Sequence, residues 1–247
     1  MKKLLLIFAC MLTIVSAAAQ TKAEADSAYV QEDYEKAISI YNQLLETGVS
    51  APVYYNLGNA YYRKGDMAHA ILAYERAYLL DPGDADIRFN LQLARTKTVD
   101  KITPESEMFF ITWFRQLIDL CSADQWGRAV VVCFALFVLA TLVYFFVGRL
   151  LWRKVGFGVG LTALCLAVLF HIFAYQQQQK LLQRSYAIVL SSSLTVKSTP
   201  SNSGTDLFVL HEGTKVQITD DAMKDWKEIR LADGKVGWVP VKTVERI

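Results

Sequence analysis

The stretch AVVVCFALFVLATLVYFFVG (129–148), RLLWRK (149–154), VGFGVGLTALCLAVLFHIFAY (155–175) organises the rest of this 247-residue chain. Neither apolar run contains an Asp, Glu, Lys or Arg. At about 1.5 Å rise per residue, roughly 20 residues cover the ~30 Å hydrocarbon core of a bilayer. The runs therefore read as transmembrane helices 129–148 and 155–175, joined by a bend too short to pass around another domain. Such a hairpin returns the chain to the face it left, so the segments on either side of it share one compartment.

The compartment follows from charge. Residues 1–19 carry Lys2 and Lys3, an apolar stretch from Leu4 to Val15 and then Ser16 to Ala19, the layout of a cleaved secretory signal peptide. Cys10 lies inside the apolar stretch, which argues against a lipid-modified cysteine. Arg149, Arg153 and Lys154 cluster at the bend, as expected on the cytoplasmic side. Both soluble parts are then expected on the periplasmic, extracytoplasmic side of a bacterial inner membrane.

Residues 20–107 hold nine basic and fourteen acidic residues, and residues 180–247 hold ten and eight. Neither part has the clustered basic face that nucleic acid demands, so no nucleic-acid partner is expected. Of the four cysteines, Cys133 and Cys165 fall in the apolar runs and Cys121 at their edge, so no disulfide framework is expected in the soluble parts.

In the first soluble part, Tyr54, Leu57, Gly58, Tyr61, Ala70, Tyr74, Ala77 and Pro82 match the spacing of the 34-residue tetratricopeptide (TPR) repeat. Small residues at Gly58 and Ala70 let two antiparallel helices approach, and Tyr61 and Tyr74 fill the space beside them. Ala37 and Tyr41 repeat Ala70 and Tyr74 one unit earlier, and Ile87 to Leu91 repeats Val53 to Leu57 one unit later without a second helix. The expectation is an α-helical TPR solenoid over 22–100, with two repeats and a closing helix whose outer face meets water. Its concave face would carry Tyr55, Asn59, Tyr62 and Arg63, with Asn56 and Asn90 near the rim. Asn can bond both groups of a peptide backbone and Arg can hold a carboxylate. These six are the candidate partner-binding residues of the groove.

Residues 105–120 are too aromatic for a solvated linker, through Phe109, Phe110, Trp113 and Phe114, and read as an interfacial amphipathic helix on the lipid bilayer. Ser122 to Gln125 is a capping box that opens the first span. Gly156 and Gly160 form a small-residue face for close helix contact rather than a nucleotide loop. Beyond Gln179 the pattern changes to alternation broken by turns at Asn202 to Gly204, Glu212-Gly213 and Asp233-Gly234, with five strand-like runs at 187–190, 194–196, 215–218, 227–231 and 236–239.

The order Val196 to Pro200, Leu210 to Val216, Trp226 to Leu231 and Gly234 to Pro240 resembles a bacterial SH3 domain over 185–247, a small all-β SH3-like barrel. That resemblance implies binding of peptides or wall polymers through aromatic pockets, for which Phe208, Trp226 and Trp238 are the candidates. The three histidines, His69, His171 and His211, show no metal-ligand spacing and no nucleophile pair. No enzyme, cofactor or metal is expected.

The whole order of signal peptide, short TPR array, two-span hairpin and SH3-like module, with Tyr55 to Tyr61 and Asp84 to Leu91, resembles the BatE-like, repeat-containing proteins of the Bat aerotolerance operon family. The resemblance implies a multidomain membrane protein that acts as a non-catalytic scaffold. Its partners would be von Willebrand A-type membrane proteins of a Bat-type complex, or other envelope proteins, with a link to oxidative stress. The alternative is an envelope tether or sensor in which the SH3-like module binds peptidoglycan.

Overall fold

Gly58 fixes the packing of the helical region: a side-chain carbon built on it would lie 2.6 Å from the Tyr74 ring, so only a hydrogen lets the two helices close. The computed structural model describes residues 22–247, and the signal-peptide reading of residues 1–19 lies outside the described residues. Helix α1 covers residues 22–30. Asp33 then caps α2 (Tyr34–Thr47) by accepting the Lys36 amide. Helix α3 (Ala51–Lys64) has Pro52 in its first turn and ends at Gly65, whose φ of 90° suits a residue without a side chain. Helix α4 (Met67–Leu80) follows, and Asp84 caps α5 (Ala85–Thr96) by accepting the amides of Asp86 and Ile87.

Seven strands make the C-terminal region: β1 (Tyr186–Val189), β2 (Ser193–Lys197), β3 (Asp206–His211), β4 (Lys215–Asp220), β5 (Trp226–Arg230), β6 (Val236–Pro240) and β7 (Val244–Arg246). They pair antiparallel in the order β3-β2-β6-β5-β4-β1-β7. The sequence pattern gave five of these. It missed β3, whose apolar run Leu207 to Leu210 was passed over between two turns, and β7 because three residues are too few to show a period. Ala187, Val189, Val196, Val216, Ile229 and Val239 are fully or almost fully buried in the core of this sheet.

The helical array and the sheet do not fold as separate beads. Residues 22–79, Asp84–Ser106 and Ser185–Ile247 form one compact unit. Ile188 alternates away from the sheet core, yet it has no exposed surface, because it packs with Ile71, Leu91 and Ala94 of α4 and α5. Ile247 joins the same cluster. The expectation that the closing helix faces water is therefore corrected. The side of α5 bearing Leu91 and Ala94 is covered by the barrel, which occupies the flank where a complete third repeat would place its second helix.

Polar contacts frame that apolar seam. Glu75, 2% exposed, accepts from Arg95 of α5 and, at 2.8 Å, from Lys215 of β4. Arg76 donates to the Glu245 carboxylate at 2.8 Å and to the Arg246 carbonyl at 2.6 Å.

Leu80–Gly83 with Glu107–Arg184 form a second unit, containing α6 (Phe109–Ile118), α7 (Ala123–Phe146) and α8 (Leu150–Gln183). Helices α7 and α8 are each long and apolar enough to cross a membrane. The capping box forms: Gln125 donates its amide to Ser122 Oγ, and its side chain accepts the Ser122 amide at 2.9 Å. A side-chain carbon on Gly156 would meet the Ala140 carbonyl at 2.9 Å, and one on Gly160 would meet Ala140 Cβ at 3.4 Å. This is the close approach that small residues permit.

Only residues 147–149 lie outside the two helices at the bend. Leu150 to Lys154 opens α8 rather than forming a loop, since Leu, Arg and Lys are good helix formers and no Gly or Pro interrupts them. Cys133 is buried while Cys165 is exposed, and both are free thiols, so the two do not meet across the hairpin. At the other end of α8, the buried Gln177 donates to the carbonyls of Ile118 and Cys121, both at 3.2 Å, and Lys180 lies 2.6 Å from the Asp119 carboxylate. The Trp126 indole donates to the Ile118 carbonyl at 2.9 Å. The C-terminal end of α6 is thus fastened to the hairpin, while Phe109, Phe110 and Trp113 stay exposed.

Candidate functional site

The repeat places equivalent residues at equivalent depths, and a polar ladder results. Tyr41 donates its hydroxyl to Asp26 at 2.6 Å, and Asn56 donates its amide to the same carboxylate oxygen at 3.1 Å. One unit on, Tyr74 donates to Asn59 at 2.7 Å, and Asn90 donates to the same Asn59 oxygen at 3.0 Å. Asn90 also donates to the Tyr55 hydroxyl at 2.9 Å.

Of the six residues predicted for the groove, the structure brings Tyr55, Asn59 and Asn90 into one hydrogen-bonded group. Asn56 belongs to the neighbouring rung, and half-buried Tyr62 packs on the apolar cluster shared with the barrel. Exposed Arg63 reaches the Tyr34 hydroxyl at 3.4 Å.

Burial governs the electrostatics of the ladder. Burial pushes the Tyr41 and Tyr74 phenols far above their ordinary range, and the bond to Asp26 adds to this at Tyr41. At Asp26, burial works upward, but hydrogen bonds from Lys22 and Tyr41 outweigh it and hold the carboxyl below its usual value. Asn56 and Asn90 therefore stitch one repeat to the next.

Sequence reasoning missed what is open on this face. Phe89, 66% exposed, and Leu93, 38% exposed, sit one 34-residue period after Tyr55 and Asn59, so they continue the row of groove positions onto α5. Their i, i+4 spacing puts them side by side. The register was readable in the sequence, but the departure of α5 from the repeat consensus hid it.

On the barrel, Gly237 and Val239 point into the core of β6, so Trp238 points out. The register pairs Trp226 with Pro240 and Glu228 with Trp238, and Lys197 of β2 with Trp238. Trp226 and Trp238 are thus diagonal neighbours on one outer face, both half-buried, flanked by Lys197 and Glu228.

Phe208 does not join them. It pairs with Val196 and turns toward the barrel core, against which Ile102 of the segment leaving α5 also packs. Beside it lies a cleft of about 370 Å³ lined by Ile102, Phe208, Leu210, Leu231 and Lys235 among others. Among the described residues, no group of three or more His, Cys, Asp or Glu is placed to hold a metal ion.

Comparison with known proteins agrees with this division. Residues 22–85 match the tetratricopeptide repeat family, and residues 192–245 match the bacterial SH3 domain family. The chain is similar to the crystal structure of the Sgt2 TPR domain from Aspergillus fumigatus, with 16% sequence identity over 68% of this chain and 82% of that one and a TM-score of 0.31. A likeness at that level is too loose to define the fold. No curated protein matches the chain. The protein therefore combines a tetratricopeptide region and a bacterial SH3 domain, modules typically used for binding proteins or cell wall, with two helices compatible with a membrane anchor.

Proposed function

We propose that this chain is a non-catalytic, membrane-anchored scaffold whose helical array and barrel bind protein partners on the extracytoplasmic face. The observation that carries this reading is the buried Glu75 shared by Arg95 and Lys215. It ties the two binding modules into one block, so the concave row through Tyr55, Tyr62 and Phe89 and the outer face of Trp226 and Trp238 are offered to partners together. Two weak sites on one body reinforce each other through effective concentration.

In this reading α7 and α8 span the membrane with Arg149, Arg153 and Lys154 at the cytoplasmic bend, and the exposed aromatic residues of α6 lie in the bilayer interface. The resemblance to BatE-like proteins supports von Willebrand A-type membrane proteins as partners, in a complex connected with aerotolerance and oxidative stress. A photo-crosslinking residue at Tyr62 or Phe89, introduced into the full chain in native membranes, should capture membrane proteins. Capture of none from either position would sink the scaffold.

The side-by-side tryptophans favour a second reading, in which the barrel grips peptidoglycan and the array serves as a spacer. Crosslinking from Trp238 to wall fragments, with no protein captured from Tyr62, would select it.

A further inference from the structure

The segment that leaves α5 lies on the barrel as a bound peptide lies in a groove. Residues 98–108 have no helix or strand. Asp100 anchors one end: its carboxylate accepts the His211 amide at 2.7 Å and the Thr214 hydroxyl at 2.6 Å, and lies 2.8 Å from His211 Nδ1. Two residues on, Ile102 packs against the barrel core and lines a cleft with Phe208. At the other end, the Glu105 amide donates to the Ala232 carbonyl at 2.9 Å, and its carboxylate stands over Gly234.

Lys101, Thr103 and Pro104 face solvent. A charged anchor at Asp100 and an apolar one at Ile102, with exposed Lys101 between them, is the two-residue spacing by which an extended peptide is read. The segment meets the barrel through the Asp100 side chain at the end of β3 and through the Glu105 amide at the turn after β5, so anchors at its two ends hold it rather than a strand ladder.

Ile102 underfills its place. The cleft of about 370 Å³ beside it is floored by Phe208, Leu210 and Leu231, which is apolar surface fit for a larger side chain than isoleucine. At its rim Asp100 is engaged by His211 and Asp233 by Lys235 at 3.0 Å, and Lys101 donates to the Thr96 carbonyl at 3.0 Å, which leaves the apolar floor as the part without an occupant. We propose that this cleft is a recognition slot for an extended segment of a protein partner that carries a carboxylate followed, two residues later, by a large apolar side chain, and that Asp100–Glu105 is the chain's own segment holding the slot until such a partner replaces it. Tethering gives the resident segment an effective concentration in the millimolar range, so a partner competes only with a better-fitting side chain or when the resident segment is drawn off.

The test uses the full chain in detergent micelles and two fluorescein-labelled peptides: TVDKITPESE, which copies residues 98–107, and TVDKFTPESE. Polarisation should show D100A/I102A binding both peptides at least about tenfold more tightly than the unaltered chain, with the Phe peptide about threefold tighter than the Ile peptide. Adding T214V to that variant should weaken both. The proposal is overturned if D100A/I102A, with barrel circular dichroism intact, binds neither peptide, if it binds no better than the unaltered chain, or if a scrambled peptide binds equally. Should D100A/I102A fail to fold, D100N is read the same way. Its amide is a weaker acceptor, so its affinity should fall between the two, and equality with the unaltered chain would overturn the proposal.

Discussion

Lys215 Nζ lies 2.8 Å from the Glu75 carboxylate, 140 residues earlier in the chain, and Glu75 is 2% exposed. A carboxylate so deeply buried is tolerable only because two cations meet it, Arg95 from the next helix and Lys215 from the barrel. The array therefore cannot bury Glu75 properly without the barrel. What composition divides into two modules, the electrostatics makes one.

The two halves of that pair are not equivalent. Replacing Lys215 by Met leaves a buried charge with a single partner, and should cost roughly 3 kcal/mol of unfolding free energy. Glu75→Met removes the buried charge and leaves Lys215 and Arg95, which are 33% and 47% exposed, able to meet water. It should cost clearly less. Chemical denaturation of the two variants gives the order, and the reverse order would contradict this account of the seam.

Acid should open the seam. Burial alone would raise the Glu75 carboxyl, but Lys215 and Arg95 outweigh it and hold it below its ordinary value. A depressed folded-state pKa stabilises fully above the unfolded value, about 4.3 for Glu, and that stabilisation is lost as pH falls through the lowered folded value. Asp100 carries the same sign: burial works upward there, and bonds from Thr214 and His211 prevail. Stability of the unaltered chain should fall more steeply than that of Glu75→Gln once pH drops below about 4. Parallel curves would show that Glu75 carries no pH-dependent stability.

Gly58 should tolerate no side chain. The Tyr74 ring that a methyl group would strike is pinned by its hydroxyl bond to Asn59, so it cannot swing aside. Gly58→Ala should lose about 1–3 kcal/mol despite the better helix propensity of Ala. A gain in melting temperature would show that the helix pair has room to spare.

The asparagines of the groove should behave as structural residues. Asn59→Ala leaves the Tyr74 hydroxyl, on a side chain only 1% exposed, without its acceptor, and should cost about 1–3 kcal/mol. Arg63→Ala, which removes only an exposed bond to the Tyr34 hydroxyl at 3.4 Å, should spare the ladder and cost less. If thermal melts rank these the other way, the ladder is not what joins the repeats.

The fold class was legible because its signals are local. The 34-residue register from Tyr54 to Pro82, two charge-free runs and the turn glycines each report on neighbours in sequence. The docking of β1 onto α4 and α5 was hidden, although Ala187 to Leu190 carried a trace of it: an uninterrupted apolar strand is one buried on both faces. The candidate sites were harder. Asn59 and Asn90 have the chemistry to bind a peptide, and nothing in their spacing tells that Tyr74 and Tyr55 have already engaged them. Phe89 and Leu93 were passed over because α5 lacks the consensus glycine position. The role of Asp100 depends on a contact 111 residues away, beyond the reach of any window.

Hydrogen exchange on the full chain in micelles tests the unity of array and barrel most directly. Under mild denaturant, the slowest amides of α4, α5 and β1 should open together with one free energy, and Lys215→Met should lower all three by the same amount. Protection persisting in α4 and α5 after β1 has exchanged would mean that the array stands without the barrel.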